Sequence, residues 1–240
     1  MNRWVQGPRS RRYLGASLNR CFIQPCVHHH YFLFPRYTAW MNTTLKSRLR
    51  RELRARRQGL SKAQQTIAAN QLMLRLIRLP VFHRAQHIAA YIASDDEISP
   101  APLLRYAGLI GKHCYLPKIS QTANRNDMDF YRYHFKQTLQ PNRYGIGEPS
   151  GLRRQPQAAN KLDIVLLPLT GFDKEGRRLG MGGGFYDRAF AFKNGKKNQQ
   201  PIMIGIAHHC QEVDSLPGDD WDIPLDLIVT DRRVIKPRKR

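Results

Sequence analysis

Acidic side chains are scarce in this chain: 18 Asp and Glu stand against 40 Lys and Arg, a formal net charge of +22, and none of the 18 precedes Glu52. Such an imbalance favours acidic partners such as nucleic acid, an anionic membrane or small polyanions, and charge alone does not choose among them. Cysteine is sparse too. Cys21, Cys26, Cys114 and Cys210 form no Cys-x-x-Cys pair, which argues against a disulfide scaffold and for a reducing, cytoplasmic setting. No apolar run reaches the length of a membrane-spanning helix. A Gly-Lys-Ser/Thr phosphate loop is missing, as is the acidic residue that a dinucleotide fold places after its glycines; Ile202 to Ala207 fills that region. Residues 1–40 have no acid and no hydrophobic period, so a disordered or non-native extension is expected there, with an organellar targeting peptide as the alternative. Cys21 and Cys26 lie near His28-His29-His30, but no second pair follows to complete a zinc site.

What the chain does have is glycine where it costs most. Gly180, Gly182, Gly183 and Gly184 crowd five positions around Met181, between the apolar run Ile164 to Leu169 and a segment with apolar residues at Phe185, Ala189, Phe190 and Phe192. A buried strand, a glycine turn and a short helix over 185–192 follow. One or two glycines suffice for a turn, and each extra one costs conformational entropy. Convergent backbone N–H groups, a helix N-terminus and the flanking Arg177, Arg178 and Arg188 suit a phosphate chain, while a plain structural turn stays open.

Upstream, Leu45, Leu49 and Leu53 recur every four residues among Lys46, Arg48, Arg50, Arg51, Arg54, Arg56 and Arg57, predicting an amphipathic basic helix from residue 43. Ser61-Lys62-Ala63-Gln64 has the form of a capping box. Ile67, Leu72, Leu76 and Leu79 carry a second helix to Pro80. A strand at 87–92 leads to the acidic Asp95-Asp96-Glu97. Ser99-Pro100 then opens a helix as N-cap and first-turn proline, and Cys114 to Pro117 is the next strand. Residues 129–134 read as an exposed strand, 141–156 as loop, and 202–207 and 225–230 as buried strands. Strands alternating with helices predict a single-domain α/β fold: a three-layer αβα arrangement with a mostly parallel twisted sheet, helices on both faces and ligands at the carboxyl ends of the strands.

These residues resemble the 5-formyltetrahydrofolate cyclo-ligase (5,10-methenyltetrahydrofolate synthetase) family. The core of the likeness is the run from Leu166-Leu167-Pro168-Leu169 through Gly171-Phe172-Asp173, Gly176, Arg178-Leu179-Gly180, Gly182 and Gly184-Phe185-Tyr186-Asp187. Lys46 and Arg50, Asp96-Glu97-Ile98, Tyr144-Gly145-Ile146 with Glu148-Pro149, Gln211 and the stretch around Asp222, Pro224, Leu225 and Asp226 follow in the family's order. The resemblance implies a cyclo-ligase domain over 41–235 followed by a basic tail at 236–240. It also implies ATP- and Mg2+-dependent cyclisation of 5-formyltetrahydrofolate to 5,10-methenyltetrahydrofolate, releasing ADP and phosphate through a phosphorylated formyl (imine) intermediate.

By the same resemblance, Lys46, Arg50, Arg178 and the loop Gly180, Met181, Gly182, Gly183, Gly184, Phe185, Tyr186, Asp187 bind ATP, and Arg178, Tyr186 and Asp187 are catalytic. Glu97, Tyr144, Phe185 and Tyr186 meet the folate. Asp187 holds the metal, with Asp226 either a second metal carboxylate or an ordinary strand-edge acid. Many relatives carry Tyr at position 185, so Phe185 is assigned ring packing only. The implied partners are ATP and 5-formyltetrahydrofolate, polyglutamylated forms included, with no specific nucleic acid and no membrane, in a cytoplasmic monomer. Two other classes stay open on the residues alone. A basic RNA-binding protein would use 46–57 and 232–240, although no RNA-recognition signature appears. A sugar-phosphate isomerase or acyl-transfer relative would need no ATP.

Overall fold

The computed structural model describes residues 35–119, 128–150, 155–193, 200–218 and 222–237, with side chains from residue 43 onward. The expectations for residues 1–34 lie outside that set. Helix α1 (Pro35–Gln58) begins before the predicted start at residue 43 and crosses the boundary drawn at residue 41. Only part of its leucine row packs: Leu53 is fully buried and Leu49 half-buried, while Leu45 is 44 % exposed. Helix α2 (Lys62–Ile77) opens on the expected capping box, in which Ser61 Oγ accepts from Gln64 N and Gln64 Oε1 accepts from Ser61 N. Its core face is Ala68, Ala69, Leu72 and Leu76. Ile67, expected on that stripe, is 61 % exposed, because the small alanines let the helix approach the sheet one position round.

After α3 (Pro80–Arg84) come β1 (His87–Ala89), α4 (Ala101–Leu109), β2 (His113–Ile119) and β3 (Met128–Tyr133). The N-cap of α4 is Pro100, not Ser99, although Ser99 Oγ still accepts from Ala101 N at 3.2 Å. The expected loop over 141–156 contains a small antiparallel pair, β4 (Leu139–Pro141) and β5 (Gly147–Pro149), turned by Gly145 at φ 75°. Then follow β6 (Ile164–Pro168), the short hairpin of β7 (Gly171–Phe172) and β8 (Arg178–Leu179), and α5 (Phe185–Ala189). The chain closes with β9 (Ile202–Ala207), β10 (Leu227–Thr230) and β11 (Val234–Ile235).

The main sheet has seven strands in the order β11-β10-β9-β6-β1-β2-β3, parallel except for the two outermost pairings. One face packs on α2, α3 and α4 through Leu72, Leu76, Phe82, Ile88, Leu103 and Leu116. The other is covered more thinly, by α5 and the turn after it, through Phe185, Tyr186, Phe190 and Phe192 against Phe130, Val165 and Met203. This is the expected three-layer α/β arrangement. Its position-setting feature is the reversal of strand order: β2 lies on one side of β1 and β6 on the other, so a crevice opens where β1 and β6 end, the place where such sheets bind ligands.

Candidate active site

Both chemically distinctive segments leave the sheet at that crevice. Residues 90–98 continue from β1 and end in the acidic turn, while β6 feeds the β7–β8 hairpin and then the glycine loop. The hairpin is fixed by Asp173, fully buried, whose carboxylate accepts from the Arg177 backbone and side chain and from Leu216 N. Gly176, at φ 84°, makes its turn, and a Cβ there would lie 2.3 Å from Pro237. Gly182 and Gly184 are left-handed, at φ 101° and 62°, the conformation that selects glycine. Gly180 leaves open space where a Cβ would stand. The helix behind the loop is five residues long, not the eight expected over 185–192, because Phe190 turns into a 3-10 segment at Ala191–Lys193.

Arginines from near and distant sequence meet at this loop. Arg50 Nε, on α1, donates to Gly180 O at 2.8 Å across 130 positions, and its guanidinium carbon lies 3.6 Å from where a Gly182 Cβ would be. Lys46 sits one helical turn earlier on α1, half-buried. Arg188 Nη2 donates to Gly183 O at 2.8 Å, and its guanidinium covers the Phe185 ring. Arg178 is nearly buried: Nη1 donates to Ile223 O, and Nη2 to Asp187 Oδ1, which also accepts from Ile223 N at 3.2 Å. Met181 is exposed at the loop tip.

Among the described residues no three His, Cys, Asp or Glu side chains cluster as a closed metal cage. Magnesium asks for less, one or two carboxylates plus phosphate oxygens. Asp187 fits, since only Oδ1 is engaged by Arg178 and Ile223. Asp226 has a structural task. Its Oδ2 accepts from Met203 N at 2.8 Å and faces Lys193 Nζ at 3.5 Å, so the carboxylate pins the start of β10 to β9. These contacts are those of a strand-edge acid.

At the other side of the crevice Glu97 is 8 % exposed, and Oε2 accepts from Ser94 N at 3.2 Å and Ser94 Oγ at 3.4 Å. Burial raises its pKa above the ordinary carboxylate value, opposed by the Ser94 N–H and by the Arg57 charge. Burial likewise pushes up the phenols of Tyr91 and Tyr186, and the Glu97 charge adds to both shifts, so these rings stay neutral donors. Tyr186, on α5, stacks on Phe190, and Tyr144 meets Phe185 edge-on with ring centroids 6.3 Å apart. The fold therefore gathers Arg50, Arg178, the loop, Asp187 and Phe185 on one side. Tyr186 reaches from there toward Glu97, and Tyr144 flanks Phe185. Sequence reasoning missed the apolar pocket beside residues 91–93, walled by Tyr91, Leu104, Tyr133 and Phe135. Its walls come from a strand end, a helix and an edge strand, which no local pattern links. It also missed Arg57, indistinguishable in sequence from its basic neighbours.

A mostly parallel sheet whose strand order reverses beside a glycine loop is an arrangement that α/β enzymes use to build a site. Residues 42–231 match the model of the 5-formyltetrahydrofolate cyclo-ligase family, and the chain belongs to that family. The cyclo-ligase of Haemophilus influenzae is 36 % identical over 190 residues, spanning 79 % of this chain and all of the relative. That of Escherichia coli K12 is 37 % identical over 182 residues, 76 % of this chain and 98 % of the relative. Among solved structures, the Aquifex aeolicus 5,10-methenyltetrahydrofolate synthetase aligns with TM-score 0.68 and 31 % identity, covering 82 % of this chain and 94 % of the other. The Mycoplasma pneumoniae synthetase aligns with TM-score 0.60 and 26 % identity, over 78 % and 99 %. No described helix is long and apolar enough to cross a membrane.

Proposed function

We propose that this chain converts 5-formyltetrahydrofolate to 5,10-methenyltetrahydrofolate at the expense of ATP, releasing ADP and phosphate. The observation that carries this reading is the reach of Arg50 from α1 to Gly180, which sets a basic side chain against a glycine loop at the strand-order reversal. A formamide oxygen is a poor leaving group. It attacks the γ-phosphorus of ATP, the bond to ADP breaks, and the formyl carbon becomes a phosphorylated imine. N10 of the folate then adds to that carbon and loses its proton, and phosphate leaves with the formyl oxygen.

Such transfers need alignment and charge neutralisation more than a protein nucleophile, so the residues act by placement. Lys46, Arg50 and the N–H groups of residues 180–184 hold the phosphate chain. Arg178, fixed by Asp187 and Ile223 O, stands beside it as a rigid positive charge. Asp187 Oδ2 would hold Mg2+, which supplies neutralisation of phosphate charge when bound. Glu97 accepts hydrogen bonds from the pterin, and Phe185, Tyr144 and Tyr186 pack on the folate rings.

Purified protein given 5-formyltetrahydrofolate, ATP and Mg2+ should develop methenyl-folate absorbance. Absorbance that grows equally without ATP, or none from folded protein, would overturn the proposal.

A further inference from the structure

Among the described residues Arg57 is the one arginine with no exposed surface, although Arg48, Arg51 and Arg56 on the same helix face solvent. Its Nη2 donates to Asp95 Oδ2 at 2.6 Å, whereas Nε and Nη1 are buried without a hydrogen-bond partner. Removing a guanidinium from water with two of its three nitrogens unused is costly, and charge for solubility would not demand it. Its partner is unusual too. Asp95 and Asp96 are consecutive non-glycine residues in left-handed backbone, at φ 48° and 56°, a conformation that persists only where surrounding contacts over-determine it.

Here they do. Asp95 is also bonded by Gln58 Nε2 at 2.8 Å and lies 3.4 Å from Arg54 Nε. Asp96 accepts from Lys62 Nζ and Gln65 Nε2, both at 3.0 Å. On the exit side, Tyr91 OH donates to Ile98 O at 2.6 Å. The end of α1 and the start of α2 thus clamp a strained two-residue turn, and the residue delivered by that turn is Glu97.

We propose that Arg57 is a positioning residue for the folate: by holding Asp95 from beneath, it fixes the left-handed turn that presents the Glu97 carboxylate to the crevice. The inference rests on the assignment of Glu97 to the pterin. Arg57 acts on charge as well as shape. The groups facing Glu97 are Ser94 and Asp95 on its own turn, Tyr91 after β1, Tyr186 on α5 and Arg57 on α1, and Arg57 is the only cation among them. Buried His208, after β9, and Asp96 also feel Arg57, and burial keeps the His208 ring neutral, so it does not replace that charge. Loss of Arg57 therefore raises the Glu97 pKa further, and folate affinity is lost at a higher pH as the solution is acidified.

The test is direct binding of 5-formyltetrahydrofolate to the full-length protein without ATP, followed across the acidic-to-neutral range, with KM for both substrates measured alongside. Arg57→Gln should weaken folate binding about tenfold, the value of one lost charge-assisted contact. It should move the acid limb to higher pH and leave KM for ATP unchanged. Arg57→Lys should restore the acid limb but not the full affinity, because one ammonium cannot reproduce the fork. In a Glu97→Gln background, Arg57→Gln should cost nothing more. If Arg57→Gln fails to fold, Asp95→Asn breaks the same contact from its exposed side: affinity should fall while the acid limb moves to lower pH, since a negative neighbour of Glu97 is removed. A folded Arg57→Gln with an unmoved acid limb, or with both KM values raised alike, overturns the clamp alone. Normal folate binding by Glu97→Gln sinks the clamp and the pterin assignment together.

Discussion

Asp187→Asn separates a structural from a chemical role at the centre of the site. The carboxylate accepts from Arg178, whose side chain is 7 % exposed, and from Ile223 N at 3.2 Å, and it is itself 26 % exposed. Losing one partner of a fully buried ion pair costs about 3–5 kcal/mol. Asparagine keeps an oxygen for Ile223, and solvent reaches the Asp187 end, so the cost here falls to about 1–3 kcal/mol. For a domain of this size each kcal/mol moves Tm by about 2–4 °C, so a thermal melt should shift downward by roughly 2–12 °C with a still cooperative transition. Turnover should fall much further, by about a hundredfold or more, as expected when charge compensation for a transferring phosphoryl group is removed. The assay is methenyl-folate formation well below the variant's Tm, with Mg2+ titrated. A loss of turnover no larger than the unfolded fraction, with an unchanged Mg2+ requirement, would refute the metal role and leave Asp187 as the counter-ion of Arg178.

Lys46→Ala should raise KM for ATP more than KM for the folate, and equal rises would count against its place at the phosphates. Arg51→Ala, exposed on the same helix, is the comparison and should change neither; Arg54 is unsuitable because it lies 3.4 Å from Asp95. Gly171→Ala would place a methyl 2.4 Å from Leu53 Cδ1 beneath α1, so the variant should lose about 1–3 kcal/mol in denaturant unfolding, and an unchanged midpoint would contradict that packing. Acidification should act in two windows. Glu97, with its pKa raised by burial, is protonated first, so folate affinity falls first; Asp96 is held low by Gln65 and Lys62, so its contribution to stability is complete above the ordinary carboxylate pKa and lost only as pH falls toward its depressed value. Binding and unfolding curves that coincide on the pH axis would exclude that order. A chain beginning at Met41 loses the first turn and more of α1 but keeps Lys46, Leu49, Leu53 and Arg57, so ATP-dependent turnover should persist. A large loss of activity or solubility would mean that the removed residues pack on the domain.

Local patterns made much of the fold legible. The capping box at Ser61 and the apolar runs that became β6, β9 and β10 depend on neighbouring residues, and so does the glycine loop. Boundaries failed where tertiary contact decides them. The helix after Gly184 stops at Ala189 because Phe190 is drawn into the core, and Ile67 is exposed because alanines pack in its stead. The site was legible only in part for the same reason. The glycine motif named its own segment, but that Arg50 rather than Arg51 meets it, and that Arg57 rather than Arg56 is buried, depends on which way α1 faces after folding. Seven basic residues between 46 and 57 look alike until that rotation is known.

Helix α1 touches the glycine loop through Arg50 and the acidic turn through Arg57, seven residues and so about 10 Å apart along its axis. It works as a caliper laid across two jaws of the crevice that belong to different strand ends. A point substitution alters one jaw, but one inserted or deleted residue between Arg50 and Arg57 would swing one contact about 100° round the helix relative to the other. The stretch from Arg50 to Arg57 should therefore tolerate changes of side chain on its solvent face while resisting any change of length, because one rigid helix sets the distance between both jaws.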